Sequence, residues 1–327
     1  MNGSEWRNEK ELWGAWHKKN SRSRHVKECF NITYQSNDIG ARDTENYLTI
    51  DNNDNVVVIG DSFVEGLGVP MEDTFSFRLK DEYGKKGLNF GASGNSGPLQ
   101  QYLLYKNLAS TIPHNEVVYL FLPSNDFEDN DGRHSIYGNR YRPYFTGNEY
   151  KITYPNGAVP SNFFPSGLNH SRYIRAIKRF ILGYTWTANS IRTVRSVLSE
   201  NKIIKGITES QIPTWEGHYT KDQYAVDGTM FYINKLFSEI PNNYKKTIIV
   251  IPDYRDLKKI NSGLPYKNLN WYTQLQKIAS QFNSKFIDLA EVAEYRHDVF
   301  LTCDGHWSAR GNSIVLEEFK KYRFEEN

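Results

Sequence analysis

The run Val56–Ile59, with Asn55 leading in, passes straight into Gly60-Asp61-Ser62-Phe63. A short β-branched run bounded by turn residues is the pattern of a buried strand in a parallel sheet, and such sheets are covered by helices on both faces. This segment points the chain toward α/β architectures. It also sets Ser62 at the carboxyl end of a strand, where the ligands of open α/β sheets gather. Gly60 permits a sharp turn, and a helix starting near Phe63 would present its amides and dipole to negative charge. Helix capping is the other role open to Asp61 and Ser62, since both residue types are favoured N-caps.

Cys303-Asp304-Gly305-His306-Trp307-Ser308-Ala309-Arg310-Gly311 stands near the far end, ahead of a helical pattern through Ile314, Val315, Leu316 and Phe319. Gly305 allows a tight turn between Asp304 and His306. A serine hydroxyl becomes a useful nucleophile only when a base takes its proton and a third group orients that base. Ser62, His306 and Asp304 are the residue types for those three roles.

Two further stretches lie between them. Leu88–Gly97, LNFGASGNSG, is a short strand ending in closely spaced glycines, and Val117–Asp126, VVYLFLPSND, is a stronger strand ending in Ser-Asn-Asp. Acyl transfer needs donors aimed at a developing oxyanion, and the Ser62 amide, the Gly94 amide and the Asn125 side chain are candidates for that set. Each stretch alone also reads as an ordinary turn.

Thr74–Tyr83 and Pro98–Ser110 read as helices, Thr247–Ile251 as a strand, Trp271–Phe282 as a helix and Lys285–Leu289 as a strand. The alternation predicts a three-layer α/β/α sandwich with a mainly parallel sheet. Residues 1–50 read as an N-terminal arm. It opens with a helix carrying Trp6, Leu12, Trp13 and Trp16 and continues to a strand at Asn31–Gln35. Residues 51–327 form the α/β domain, interrupted at 127–244 by an inserted cap or subdomain far longer than a crossover requires. Arg140–Tyr154 has hairpin or loop character, and Ser171–Leu198 has helical spacing with a basic face that suits either a sugar site beside aromatic platforms or a plain solvated surface.

Taken together, the four segments resemble the SGNH hydrolases, also called GDSL esterases and lipases. Gly60-Asp61-Ser62 is similar to that family's first block, Gly94 to its second-block glycine, Asn125 with Asp126 to its third, and Asp304 with His306 to its last. Two departures stand out: Ser124 occupies a position that is usually glycine, and Asp304-Gly305-His306 is shorter than the common Asp-x-x-His. The shorter form resembles the branch acting on bacterial polysaccharides and their O-acetyl groups. The resemblance implies a flavodoxin-like fold and a serine esterase with Ser62, His306 and Asp304 as catalytic residues. It also implies an oxyanion hole of Ser62, Gly94 and Asn125, with Asp61 and Asp126 in support. O-acetyl groups on a carbohydrate are the implied substrate. An O-acyltransferase using the same residues, or a non-catalytic glycan-binding protein, are the alternatives.

A chain of 327 residues with formal net charge +2 has no global pull toward nucleic acid and no apolar run of membrane-spanning length. No P-loop, dinucleotide fingerprint or metal-ligand spacing occurs, so no cofactor is implied. The charged, aromatic start is not a secretory leader, which taken literally gives a cytoplasmic protein; a periplasmic or cell-envelope location is the alternative. Cys29 and Cys303 read by default as two free thiols. A bridge between them would pin the loop of Asp304 to the N-terminal arm and would require oxidising surroundings.

Overall fold

The computed structural model describes residues 7–94, 96–132, 142–154 and 222–324. The chain opens with two antiparallel hairpins, β1 (Arg7–Glu11) with β2 (Gly14–His17), and β3 (Arg22–Lys27) with β4 (Phe30–Gln35). The first hairpin corrects the expected N-terminal helix. Trp13 and Trp16 lie three apart, as on a helix, but Gly14 between them adopts φ +93° and turns the chain. Both indoles are buried in the hairpin arrangement, and Trp16 Nε1 donates to the Ile39 carbonyl at 2.8 Å. Leu12, which a helix would have packed beside them, is 57% exposed. Trp6 lies outside the described residues.

The α/β part follows as β5 (Asn55–Gly60), the short α1 (Ser62–Glu65), α2 (Phe75–Tyr83), β6 (Lys86–Gly91), α3 (Pro98–Asn107), β7 (Glu116–Phe121) and α4 (Pro123–Asp129). A small hairpin, β8 (Tyr144–Thr146) with β9 (Lys151–Thr153), comes next. The final elements are α5 (Gln223–Glu239), β10 (Lys245–Val250), α6 (Tyr254–Asn261), α7 (Asn270–Gln281), β11 (Lys285–Asp288) and α8 (Ala309–Phe324).

Five strands form one parallel sheet in the order β11-β10-β7-β5-β6. Counting only those five in chain order, this is the 2-1-3-4-5 arrangement of flavodoxin-like folds, whose crevice opens between the first and third strands. Here those strands are β5 and β7. Every residue of both is buried, which is why each reads as a continuous apolar run with no alternation.

Alternate side chains pack in opposite directions. Val56, Val58, Val118 and Leu120 join Phe75 and Leu79 of α2 and Val315 and Phe319 of α8 in one core. On the other face, the Tyr119 ring meets Phe237 of α5 at 5.8 Å and Phe121 meets Trp271 of α7 at 5.9 Å. Helix α5 falls within the stretch 127–244, yet it packs as one of the sheet's covering helices and buries Ile233, Leu236 and Phe237. The basic helical pattern at 171–198 lies outside the described residues. No helix among the described residues is long and apolar enough to cross a membrane.

The structure also corrects the default reading of the cysteines: Cys29 and Cys303 form a disulfide. Their separation of 274 positions hid the pairing, because it depends on the β3–β4 hairpin folding back onto the loop before α8.

Candidate active site

Gly60 ends β5 because the turn leaves no room for a side chain; a Cβ there would sit 2.6 Å from Val64 Cγ2 and 3.1 Å from the Leu120 carbonyl oxygen. Asp61 follows as N-cap of α1, its Oδ1 accepting from the Phe63 amide at 2.9 Å. Asp61 takes the capping role, and Ser62 stands in the first turn of the helix. Gly66 ends the helix at φ +79°. The buried Arg42 fastens that end, with Nη1 donating to the Glu65 carbonyl at 2.7 Å and Nη2 to the Val69 carbonyl at 2.6 Å.

His306 reaches Ser62 from the opposite end of the sequence. Its Nε2 lies 2.7 Å from Ser62 Oγ, and its Nδ1 meets Asp304 Oδ1. An ionised carboxylate only accepts, so Nδ1 carries the proton of that contact and Nε2 is left to accept from the serine hydroxyl. The loop is shaped by its own backbone: Leu301 N donates to the His306 carbonyl at 2.8 Å, and Phe300 bridges Trp307. Beneath the imidazole, the Phe63 ring lies 5.0 Å from both His306 and Trp307, and Trp307 Nε1 donates to the Tyr295 hydroxyl at 2.7 Å.

Asp304 sits well below the usual carboxylate range. Burial pulls it upward, but the hydrogen bond and charge of His306, followed by those of Lys27, outweigh that effect. Lys27 Nζ meets the second carboxylate oxygen, Oδ2.

Asn125 lies in the first turn of α4, just past β7, and its side chain stands close enough to Asp61 to favour that residue's ionised form. Asp61 is fully buried, and burial raises its carboxyl above the ordinary value in spite of the Phe63 amide, His306 and Asn125. Asp126 points inward and accepts from the Leu122 amide at 2.8 Å. Burial, then the nearby charge of Asp61, pushes it far above the ordinary carboxylate range.

Gly94 occupies the turn after β6 at φ +95°, where a side chain would be strained. Because β6 pairs with β5 in register, Gly60 opposite Gly91, this turn leaves the sheet beside the loop carrying Ser62. The structure therefore brings Ser62, His306 and Asp304 into direct contact and Asn125 against Asp61, while Gly94 is held through its neighbour. Both the amide and the hydroxyl of Ser93 donate to Glu65 Oε2.

Glu65, His17 and Lys27 are the residues that sequence reading missed. Glu65 is fully buried, and its Oε1 faces His17 Nε2 at 3.5 Å, while His17 Nδ1 donates to the Gly40 carbonyl at 2.8 Å. A charged residue inside the buried stretch Phe63-Val64-Glu65 was the available signal. Nothing in the spacing announced His17 or Lys27, which arrive on the two N-terminal hairpins.

No protein-family model matches the chain, and no curated protein matches it. Among solved structures it is similar to a point mutant of Axe2, an acetyl-xylooligosaccharide esterase from Geobacillus Stearmophilus. That match has 14% identity and a TM-score of 0.38, and covers 83% of this chain and 94% of the other. At that TM-score the likeness is slight, and the α/β assignment stands on the sheet order and its flanking helices.

Proposed function

We propose that this protein is a serine ester hydrolase of the SGNH type, acting on carboxylic esters, with O-acetyl groups on a carbohydrate as its substrate class. The observation that carries this reading is the chain of contacts Asp304–His306–Ser62, with the 2.7 Å approach of Nε2 to Oγ at its reacting end. His306 takes the Ser62 proton as Oγ attacks the ester carbonyl, and Asp304 holds the ring and stabilises the imidazolium that forms. The Ser62 amide, the Gly94 amide and the Asn125 side chain receive the oxyanion. His306 then protonates the departing alcohol, and water, activated by the same base, hydrolyses the acyl-serine. No step calls on a cofactor.

The carbohydrate part of the reading comes from the short Asp-x-His form of the last block, and the disulfide supports an oxidising surrounding for the working protein in place of the cytoplasmic expectation.

Acetate release from p-nitrophenyl acetate and from acetylated oligosaccharides, by wild type and Ser62→Ala, tests all of this. Loss of both activities in Ser62→Ala is expected. Equal rates in the two proteins would remove Ser62 as nucleophile, and acetyl transfer to added sugar exceeding hydrolysis would make the protein an acyltransferase.

A further inference from the structure

We propose that Lys27, at the end of β3, is a positioning residue for the Asp304–His306 pair, brought there by a hairpin that is covalently stapled to the loop it serves. The proposal deepens the hydrolase reading and rests on it. Asp304 has two carboxylate oxygens with separate tasks: Oδ1 meets His306 Nδ1 and Oδ2 meets Lys27 Nζ. With both oxygens engaged from different sides, the carboxylate cannot rotate about its terminal torsion without breaking a charged contact. The Asp304 side chain is 7% exposed and that of Lys27 is 41% exposed, so the ammonium reaches inward from solvent to a largely buried partner.

An exposed lysine–carboxylate pair ordinarily does little, because two flexible side chains must be ordered to make it. Here much of that ordering is already supplied. Lys27 pairs with Phe30 across the two-residue turn Glu28-Cys29. Cys29 is bonded to Cys303, the residue before Asp304, and each of the two cysteine amides also donates to the other's sulfur, at 3.2 and 3.3 Å. Cation and carboxylate therefore stand on either side of one covalent bridge.

The charge of Lys27 acts among few others. His25 on the same strand is held down to about 4, by burial first and then by neighbouring positive charges including Lys27, so at neutral pH it brings no charge of its own. Tyr34 of β4 feels Asp304 but is pushed up to about 12, chiefly by burial, and stays neutral. Asp61 faces His306 from the nucleophile turn. An uncompensated carboxylate favours the protonated, inactive form of the ring beside it, and the Lys27 ammonium offsets that influence.

Rate profiles against pH for wild type, Lys27→Met, Lys27→Gln and Lys27→Arg, with Ser62→Ala in parallel, test the assignment. Lys27→Met and Lys27→Gln should lower kcat/KM at neutral pH about tenfold, a loss comparable to one charge-assisted hydrogen bond. They should also move the acid limb of the profile to higher pH, and Lys27→Arg should restore both. A brace for the hairpin alone would change the melting temperature and leave the limb where it is. Wild-type rate and an unmoved limb in both neutral variants, with Ser62→Ala inactive, would overturn the role of Lys27. Full activity in Ser62→Ala would instead overturn the hydrolase reading beneath it.

Discussion

Replacing Glu65 with alanine should cost both stability and turnover. Its carboxylate is buried, with Oε2 accepting from the Ser93 amide and hydroxyl and Oε1 facing His17. Deleting it orphans a buried amide, a penalty of about 1–3 kcal/mol, and strips His17 of its acidic partner. The Ser93 hydroxyl loses the same acceptor, and the two orphaned donors together cost about 3–5 kcal/mol. In a chain of this size each kcal/mol lowers Tm by about 2 °C, so a fall of about 6–10 °C is expected. Turnover should drop through a different route, since Ser93 leads directly into Gly94. Removing an oxyanion donor costs about a hundredfold to a thousandfold, and a donor displaced but not deleted should cost near the bottom of that range. Glu65→Gln keeps an acceptor for Ser93, so it should lose about 1 kcal/mol and less than about tenfold in kcat. Thermal unfolding followed by circular dichroism, with acetate release from p-nitrophenyl acetate, measures both effects. A Glu65→Ala protein that melts with wild type would refute the energetic reasoning. One that melts early yet turns over normally would cut the link from Glu65 to Gly94.

Asn125→Ala should lower kcat about a hundredfold to a thousandfold while the fold persists, and an unchanged rate would remove Asn125 from the oxyanion hole. Asp126 has its folded value raised by burial and Asp61, so its stabilising contribution is complete below the unfolded value of about 3.9 and is lost as pH rises through the raised folded value. Urea unfolding of Asp126→Asn should therefore show a gain over wild type in mildly alkaline buffer that shrinks in acid, and a gain independent of pH would contradict that assignment. Cys29→Ser should cost about 2–5 kcal/mol of stability and part of the activity, and dithiothreitol should do the same to wild type but not to the variant. Equal melting of the two oxidised proteins would show the bridge to be dispensable.

The strands β5 and β7 were legible because burial on both faces leaves an uninterrupted apolar run, and Ser62 was legible because a polar cluster ends that run. His306 and Asp304 stood out through a short polar turn ahead of an amphipathic helix. What stayed hidden was set by long-range pairing. Trp13 and Trp16 have the spacing of a helix face, and only the left-handed backbone of Gly14 and the contact of Trp16 with Ile39 decide for a hairpin. The Cys29–Cys303 bridge, Lys27 on Asp304 and His17 on Glu65 each join residues from the N-terminal hairpins to distant segments, and no local pattern encodes such meetings. The length of the crossover at 127–244 hides helix α5 from a reading of the sequence. Its burial against the sheet, not its place in the sequence, marks it as a covering helix.

The staple between residues 29 and 303 also imposes an order of events on biosynthesis. At about 5–20 residues per second a ribosome needs about 15–55 s to travel from the first cysteine to the second. Through that interval the nascent hairpin carries a thiol without its mate, and Ser62 has been made while the His306 it touches has not. The loop of Asp304 can dock on Ser62 only after that interval, and closure of the bond then fixes it to a hairpin made long before, so the oldest and youngest parts of the chain are joined last.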